Sequence, residues 1–185
     1  MFMLILGLIL WIGAHYFKRL APDARARLGD PGKGLVALLI VASLVLMILG
    51  YRAADFISVW YPPSFMVHIN NLLMLLALWV YGSSAAKGAK AWPAYKTRHP
   101  QLLGFKIWAF AHLLVNGDLA SIILFGGLLG WAVVSVILIN RAEPDWTPPA
   151  PAGRATYIRL AVISLVLFAV ITGIHIWLGV SPFPS

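Results

Sequence analysis

The sequence contains no cysteine. Disulfide bonds, iron–sulfur clusters held by thiolates and covalently attached c-type haem are therefore excluded. Any metal bound by this chain must be held by histidine, by carboxylates or by a cofactor that brings its own ligands.

Charged side chains are also scarce. They make up 11% of the 185 residues, whereas hydrophobic residues make up 61% and the mean hydropathy is +0.88. This balance excludes an ordinary water-soluble domain. Apolar runs of about 16–22 residues recur along the chain and are long enough to cross a bilayer as helices. Six such segments are visible, at 2–17, 34–51, 64–81, 101–116, 119–139 and 157–178. We predict an all-α polytopic membrane bundle of about six transmembrane helices, forming one integral-membrane domain over residues 1–185.

Acidic residues are the rarer charge: six Asp and Glu stand against fourteen Lys and Arg, for a formal net charge of +8. The basic residues concentrate in the first, third and fifth connections between the apolar segments. This alternation follows the positive-inside rule for six spans with both termini outside. The charge therefore indicates topology and attraction to a lipid bilayer, and not a nucleic-acid partner. The N-terminus lacks the basic region and cleavage site of a signal peptide, so it is predicted to remain as the first span.

Five histidines are the main candidates for chemistry, because ionisable groups inside membrane spans are costly and usually functional. Their nearest spacing is that between His99 and His112. Such spacing excludes the clustered histidine motifs of membrane di-iron enzymes and the HExxH zinc motif. Single histidines on separate helices are typical of haem ligands instead. The five are His15, His68, His99, His112 and His175.

His15 shares one helical face with Trp11 and Arg19, because the three recur at four-residue spacing. An indole, an imidazole and a guanidinium in this order suit a haem ring, its iron and a propionate. A structural histidine beside a snorkelling arginine explains the spacing equally well. Both interpretations stay open at this point.

His112 is favoured more strongly as a ligand. It lies about 18 Å along a helix from the RHP triplet at 98–100, which predicts a position near mid-membrane. Phe105 and Trp108 share its face. An imidazole at that depth needs a hydrogen bond or a metal.

The other three histidines are predicted near the membrane boundaries. His68 and His175 are expected at the outer side, either as structural residues or as a second outer site. His99 precedes Pro100 at the start of a helix and is expected to be a cap or head-group contact. In the NGD turn, Asp118 is expected to cap the following helix rather than to act in catalysis. The GGLLG stretch at 126–130 is attributed to ordinary close helix packing.

The segment RHPQLLGFKIWAFAHLLVNGDLAS at 98–121 resembles the signature of the NnrU family of bacterial membrane proteins. The first span with His15, the WYPPSF stretch and the closing HIWLGV at 175–180 fit the same family. That resemblance implies the bacterial inner membrane, periplasmic termini and a link to denitrification through nitrite and nitric oxide metabolism. The chain is also similar to 15-cis-zeta-carotene isomerase, a membrane protein with haem b. By that similarity, His15 and His112 correspond to its haem ligands.

The haem interpretation assigns roles to further residues. Trp11 and Trp108 are expected near the ring, while Arg19, with Lys18 or Arg98, is expected to neutralise the propionates. The bound haem b would sense or reduce nitric oxide, transfer electrons, or isomerise a lipophilic polyene. Whether the protein is an enzyme is left open.

One departure from the isomerase pattern concerns its alternative iron ligand. The isomerase has a cysteine three residues before its second histidine, and this chain has Ala109 there. The thiolate that takes part in its proposed ligand exchange is thus absent, while the haem-binding histidines are retained.

Two alternatives to the haem interpretation remain. RHPxxxG also resembles a motif of membrane methyltransferases that use S-adenosylmethionine, although Glu143 stands alone where those enzymes usually carry a glutamate pair. The second alternative is a non-catalytic factor that helps to assemble a membrane nitric oxide reductase.

Overall fold

The computed structural model describes residues 1–183 and contains seven helices. They are α1 (Phe2–Leu20), α2 (Pro22–Arg27), α3 (Pro31–Arg52), α4 (Met66–Gly82), α5 (Pro100–Val115), α6 (Leu119–Ala142) and α7 (Arg154–Trp177). Each of the six predicted apolar segments matches one of these helices, with no more than two predicted residues outside it, and the all-α prediction is confirmed. The additional helix, α2, begins at a proline within the first polar connection, where no helix was predicted.

Four of the helices, α1, α3, α6 and α7, are long and apolar enough to cross a membrane. The apolar helices α4 and α5 are shorter, with 17 and 16 residues. The chain is therefore a helical membrane protein. Its four long and two shorter apolar helices agree approximately with the six predicted spans.

The described residues group into two compact units. Unit 1 comprises Met1–Trp60 and Gly117–Trp131, so it contains α1, α2, α3 and the first part of α6. Unit 2 comprises Tyr61–Asn116 and the rest of the described chain from Ala132. The single membrane domain over 1–185 stays a prediction.

In unit 1, α1 packs closely against α3 through two glycines. A Cβ atom on Gly7 would lie 2.8 Å from the backbone nitrogen of Met47, and one on Gly50 would overlap the backbone of Leu4. Leu4 itself is fully buried. Small residues allow this close approach of helices, on which van der Waals packing inside a membrane depends.

A second feature of unit 1 is the capped start of α6. The Oδ1 atom of Asp118 accepts a hydrogen bond from the backbone N–H of Ser121 at 2.9 Å, which confirms the predicted cap. The preceding loop is fixed to the same turn, because Val59 donates to the Gly117 carbonyl and Leu119 donates to the Ile57 carbonyl, both at 2.8 Å.

In unit 2, α4 packs against both α5 and α7. A Cβ atom on Gly104 would lie 2.8 Å from the Ala77 carbonyl and from the Tyr81 nitrogen, so α5 approaches the backbone of α4 directly. Because α4 ends at Gly82, just beyond this contact, α5 can pack along α4 only by running back toward its start. The end of α5 therefore lies beside the first turns of α4.

Candidate functional site

His15 lies in an aromatic cluster of unit 1. Its Nδ1 atom is 2.8 Å from the carbonyl oxygen of Trp11, one helical turn earlier. The imidazole centroid is 4.2 Å from the Trp11 ring and 4.8 Å from the Trp131 ring, and the Trp131 contact is edge to face. The predicted pairing of Trp11 with His15 is thus present in the structure.

Trp131 is a member of this cluster that the sequence analysis missed. It lies on α6, and the Tyr16 hydroxyl donates to its carbonyl oxygen at 2.7 Å. No local spacing connects Trp131 to His15, so only the tertiary structure brings them together. Within residues 1–183, the buried Nε1 of Trp11 in this cluster has no hydrogen-bond acceptor.

His112 lies in a similar setting in unit 2. Its Nδ1 atom is 2.9 Å from the carbonyl oxygen of Trp108, and the two rings are 5.1 Å apart. Phe105 follows on the same face, with its ring 5.0 Å from that of Trp108. This confirms the predicted aromatic face of α5.

His112 lies in the last turn of α5, which ends at Val115. Asn116 adopts an extended conformation and ends the helix, and its side-chain amide donates to the His112 carbonyl at 2.8 Å. The position of His112 near mid-membrane stays a prediction.

The hydrogen bonds define the tautomer of these imidazoles. A carbonyl oxygen can only accept, so the Nδ1 atoms of His15 and His112 must carry the proton. In the neutral ring, Nε2 then carries the lone pair that binds a metal. Metal-ligating histidines commonly donate their other ring N–H to a carbonyl in this way. His175 makes the same bond, with Nδ1 2.8 Å from the Ile171 carbonyl.

The RHP triplet has a different role within unit 2. The Nε2 atom of His99 is 2.8 Å from Oδ1 of Asn140, and its backbone carbonyl accepts from Leu103 at the start of α5. Arg98 forms an ion pair with Glu143 at 3.8 Å. This hydrogen bond and this ion pair connect the start of α5 to the end of α6. His99 is a cap residue through its backbone, as predicted.

The remaining predicted residues lie at helix ends. Lys18 and Arg19 are exposed in the last turn of α1, about one turn beyond His15. His68 is exposed in the first turn of α4.

No three metal-binding side chains gather anywhere in residues 1–183.

A family model described as "NnrU protein" matches residues 3–182, nearly the whole chain. The chain therefore belongs to the NnrU family. Neither the curated proteins nor the solved structures contain a match.

Proposed function

We propose that this member of the NnrU family is a haem b-binding integral membrane protein whose iron is held by His15 and His112. The observation that carries the proposal is the shared setting of the two imidazoles. Each donates its Nδ1–H to a tryptophan carbonyl one turn earlier, and each has that tryptophan ring beside it. His15 lies in unit 1 and His112 in unit 2.

The residues present also fit the rest of a haem. Trp11 and Trp108 offer flat apolar surfaces for a porphyrin, and the buried Trp11 N–H offers a donor that lacks an acceptor within residues 1–183. Lys18 and Arg19 supply positive charge for propionates. Arg98 is less available for this role than Lys18, because its guanidinium pairs with Glu143.

When bound, haem supplies one-electron chemistry at iron. The chain orients the two imidazoles through their Nδ1 bonds, places an indole beside each, and leaves the lone pair of the neutral ring on Nε2. His15 and His112 would hold the haem through Nε2, and a haem held by two histidines would supply electron transfer rather than direct ligand binding.

We place this haem in nitrite and nitric oxide metabolism, the role associated with the family. Redox isomerisation of a polyene is less well supported, because Ala109 cannot supply the thiolate that the isomerase pattern requires. A membrane nitric oxide reductase is the partner that fits an electron-transfer or assembly role. The alternation of basic connections supports the bacterial inner membrane with periplasmic termini.

The methyltransferase alternative receives less support from the structure. Its cofactor site would begin at Arg98 and His99, and both side chains are engaged by residues at or just beyond the end of α6.

The test is a reduced-minus-oxidised optical spectrum of the detergent-purified protein, combined with a pyridine haemochrome assay. We expect a b-type spectrum with about one haem per chain, lost in the His15→Ala/His112→Ala variant. Full haem occupancy in that double variant would refute the ligand assignment. A colourless wild-type protein that cannot be reconstituted would refute haem binding and favour the assembly-factor alternative.

A further inference from the structure

His175 is a third histidine with the geometry of a ligand, and the proposed function does not use it. It lies in the last turn of α7, and its Nδ1 donates to the Ile171 carbonyl at 2.8 Å. Because a carbonyl oxygen only accepts, Nδ1 carries the proton, and the neutral ring carries the lone pair on Nε2. By contrast, His99 uses Nε2 in a side-chain hydrogen bond, and His68 is exposed.

The packing of unit 2 shows where His175 lies. At one end of α4, a Cβ atom on Gly82 would lie 2.9 Å from the Leu160 side chain of α7. At the other end, the Asn71 amide donates to the Pro182 carbonyl at 2.8 Å, just beyond α7. The two helices are therefore antiparallel, and the last turn of α7 lies beside the first turns of α4.

His112 lies at the same end of unit 2. Both α5 and α7 run antiparallel to α4, and His112 and His175 each occupy the last turn of their helix. Two ligand-type imidazoles thus share one region of a single compact unit.

A buried amide in the first turns of α4 adds a second polar feature to this end. Asn70 is 8% exposed, and its Oδ1 has no hydrogen-bond donor among the described residues. Its amide nitrogen donates to Oδ1 of Asn71 at 3.2 Å. Burying an amide oxygen without a hydrogen-bond donor costs free energy. This region is therefore suited to a ligand that carries a hydrogen-bond donor.

We infer that His175 is a third ligand-competent imidazole of the iron site, able to bind the same iron as His112 when His15 does not. The inference rests on the proposed haem function and adds to it a ligand from within unit 2. It predicts that the iron of this protein retains two axial histidines after loss of His15.

The experiment compares five detergent-purified proteins: the wild type, His15→Ala, His175→Ala, His15→Ala/His175→Ala, and His68→Ala as the control. Haem content comes from the haemochrome assay, and spin state comes from optical and electron paramagnetic resonance spectra. We expect low-spin, bis-histidine haem in the wild type, in both single variants and in the control. The double variant should become high-spin and five-coordinate, and about 10 mM free imidazole should restore its low-spin spectrum.

A high-spin His15→Ala protein whose spectrum is unchanged by the additional His175→Ala substitution would overturn the inference while leaving haem binding through His112 intact. A His175→Ala protein that is high-spin by itself would overturn both the inference and the assignment of His15, because His175 would then be a ligand at rest. A wild-type protein without haem would overturn both the proposed function and this inference.

Discussion

The imidazole of His15 and the indole of Trp131 meet edge to face, with centroids 4.8 Å apart, although one lies on α1 and the other on α6. Trp11 covers the ring from a second direction at 4.2 Å. Such contacts hold an imidazole in one orientation, which a metal ligand requires.

The indole N–H of Trp11 provides a test of what this cluster binds. Trp11→Phe keeps an aromatic ring and removes the buried N–H. If haem supplies the acceptor, we expect haem to dissociate about tenfold faster, because a hydrogen bond to a charged group contributes about 1.5–3 kcal/mol. The measurement is the rate of haem transfer to an excess of apomyoglobin.

Trp177→Phe is the matched control, since Trp177 is 83% exposed at the end of α7. If Trp11→Phe leaves the haem transfer rate unchanged and raises the thermal stability, its N–H has no acceptor in the loaded protein.

Of the two proposed ligands, His112 is the one whose substitution we expect to remove more haem. His112→Ala removes a half-buried imidazole that is anchored to Trp108. We expect haem per chain to fall at least tenfold, measured by the haemochrome assay after size-exclusion chromatography. His68→Ala, which changes an exposed imidazole on α4, should leave the ratio unchanged. Equal haem loss in both variants would indicate a general disturbance of unit 2 rather than a lost ligand.

The contact between α1 and α3 predicts a stability effect of one methyl group. Gly50→Ala places a Cβ against the backbone of Leu4, and overpacking of this kind typically costs about 1–3 kcal/mol. Gly34→Ala lies on the same helix with nothing within 4 Å, so it should instead stabilise α3 by about 0.5–1 kcal/mol. Thermal unfolding in detergent, followed by circular dichroism, should show shifts of opposite sign. A melting temperature unchanged in both variants would contradict the close packing.

Asp118 is expected to contribute to stability through its cap on α6. Asp118→Ala removes the acceptor for the Ser121 N–H, and such caps contribute about 0.5–2 kcal/mol. The expected fall in melting temperature is roughly 2–4 °C per kcal/mol for a chain of this size. Asp118→Asn keeps an acceptor oxygen and should recover most of the loss. A loss of haem at unchanged stability would instead point to a functional role for this carboxylate.

The local sequence pattern was sufficient to predict most of the helices. The apolar runs predicted six of the seven helices, because each run presents continuous apolar surface to lipid. The short helix α2 was missed because its residues are polar, and no apolar periodicity marks it. The close approach of α1 and α3 was also missed, since Gly7 and Gly50 are isolated glycines. The conspicuous GGLLG stretch has only one crowded position, Gly127 beside Leu8, while Gly126 and Gly130 have open space around them.

The candidate site was predictable to the extent that its contacts are local. Spacing along α1 and α5 predicted the tryptophan beside each histidine, because residues one turn apart are neighbours on a helix. The edge contact of Trp131 is long-range and carries no local signal. The end of α5 was predicted to within one residue, because the apolar run stops at Asn116, whose extended backbone ends the helix.

Unit 1 is discontinuous in the chain, and this has a consequence for biosynthesis. Its first part ends at Trp60, and its last part, Gly117–Trp131, follows after α4 and α5 have been made. About 70 residues therefore separate the synthesis of Trp60 from completion of the unit at Trp131, which takes several seconds at about 5–20 residues per second. During that interval His15 has no contact with Trp131. The backbone groups of Ile57 and Val59 likewise lack their hydrogen-bond partners at Leu119 and Gly117. The aromatic surround of His15 is thus completed late in translation, so a haem that needs this surround is acquired only after the ribosome has passed the middle of α6.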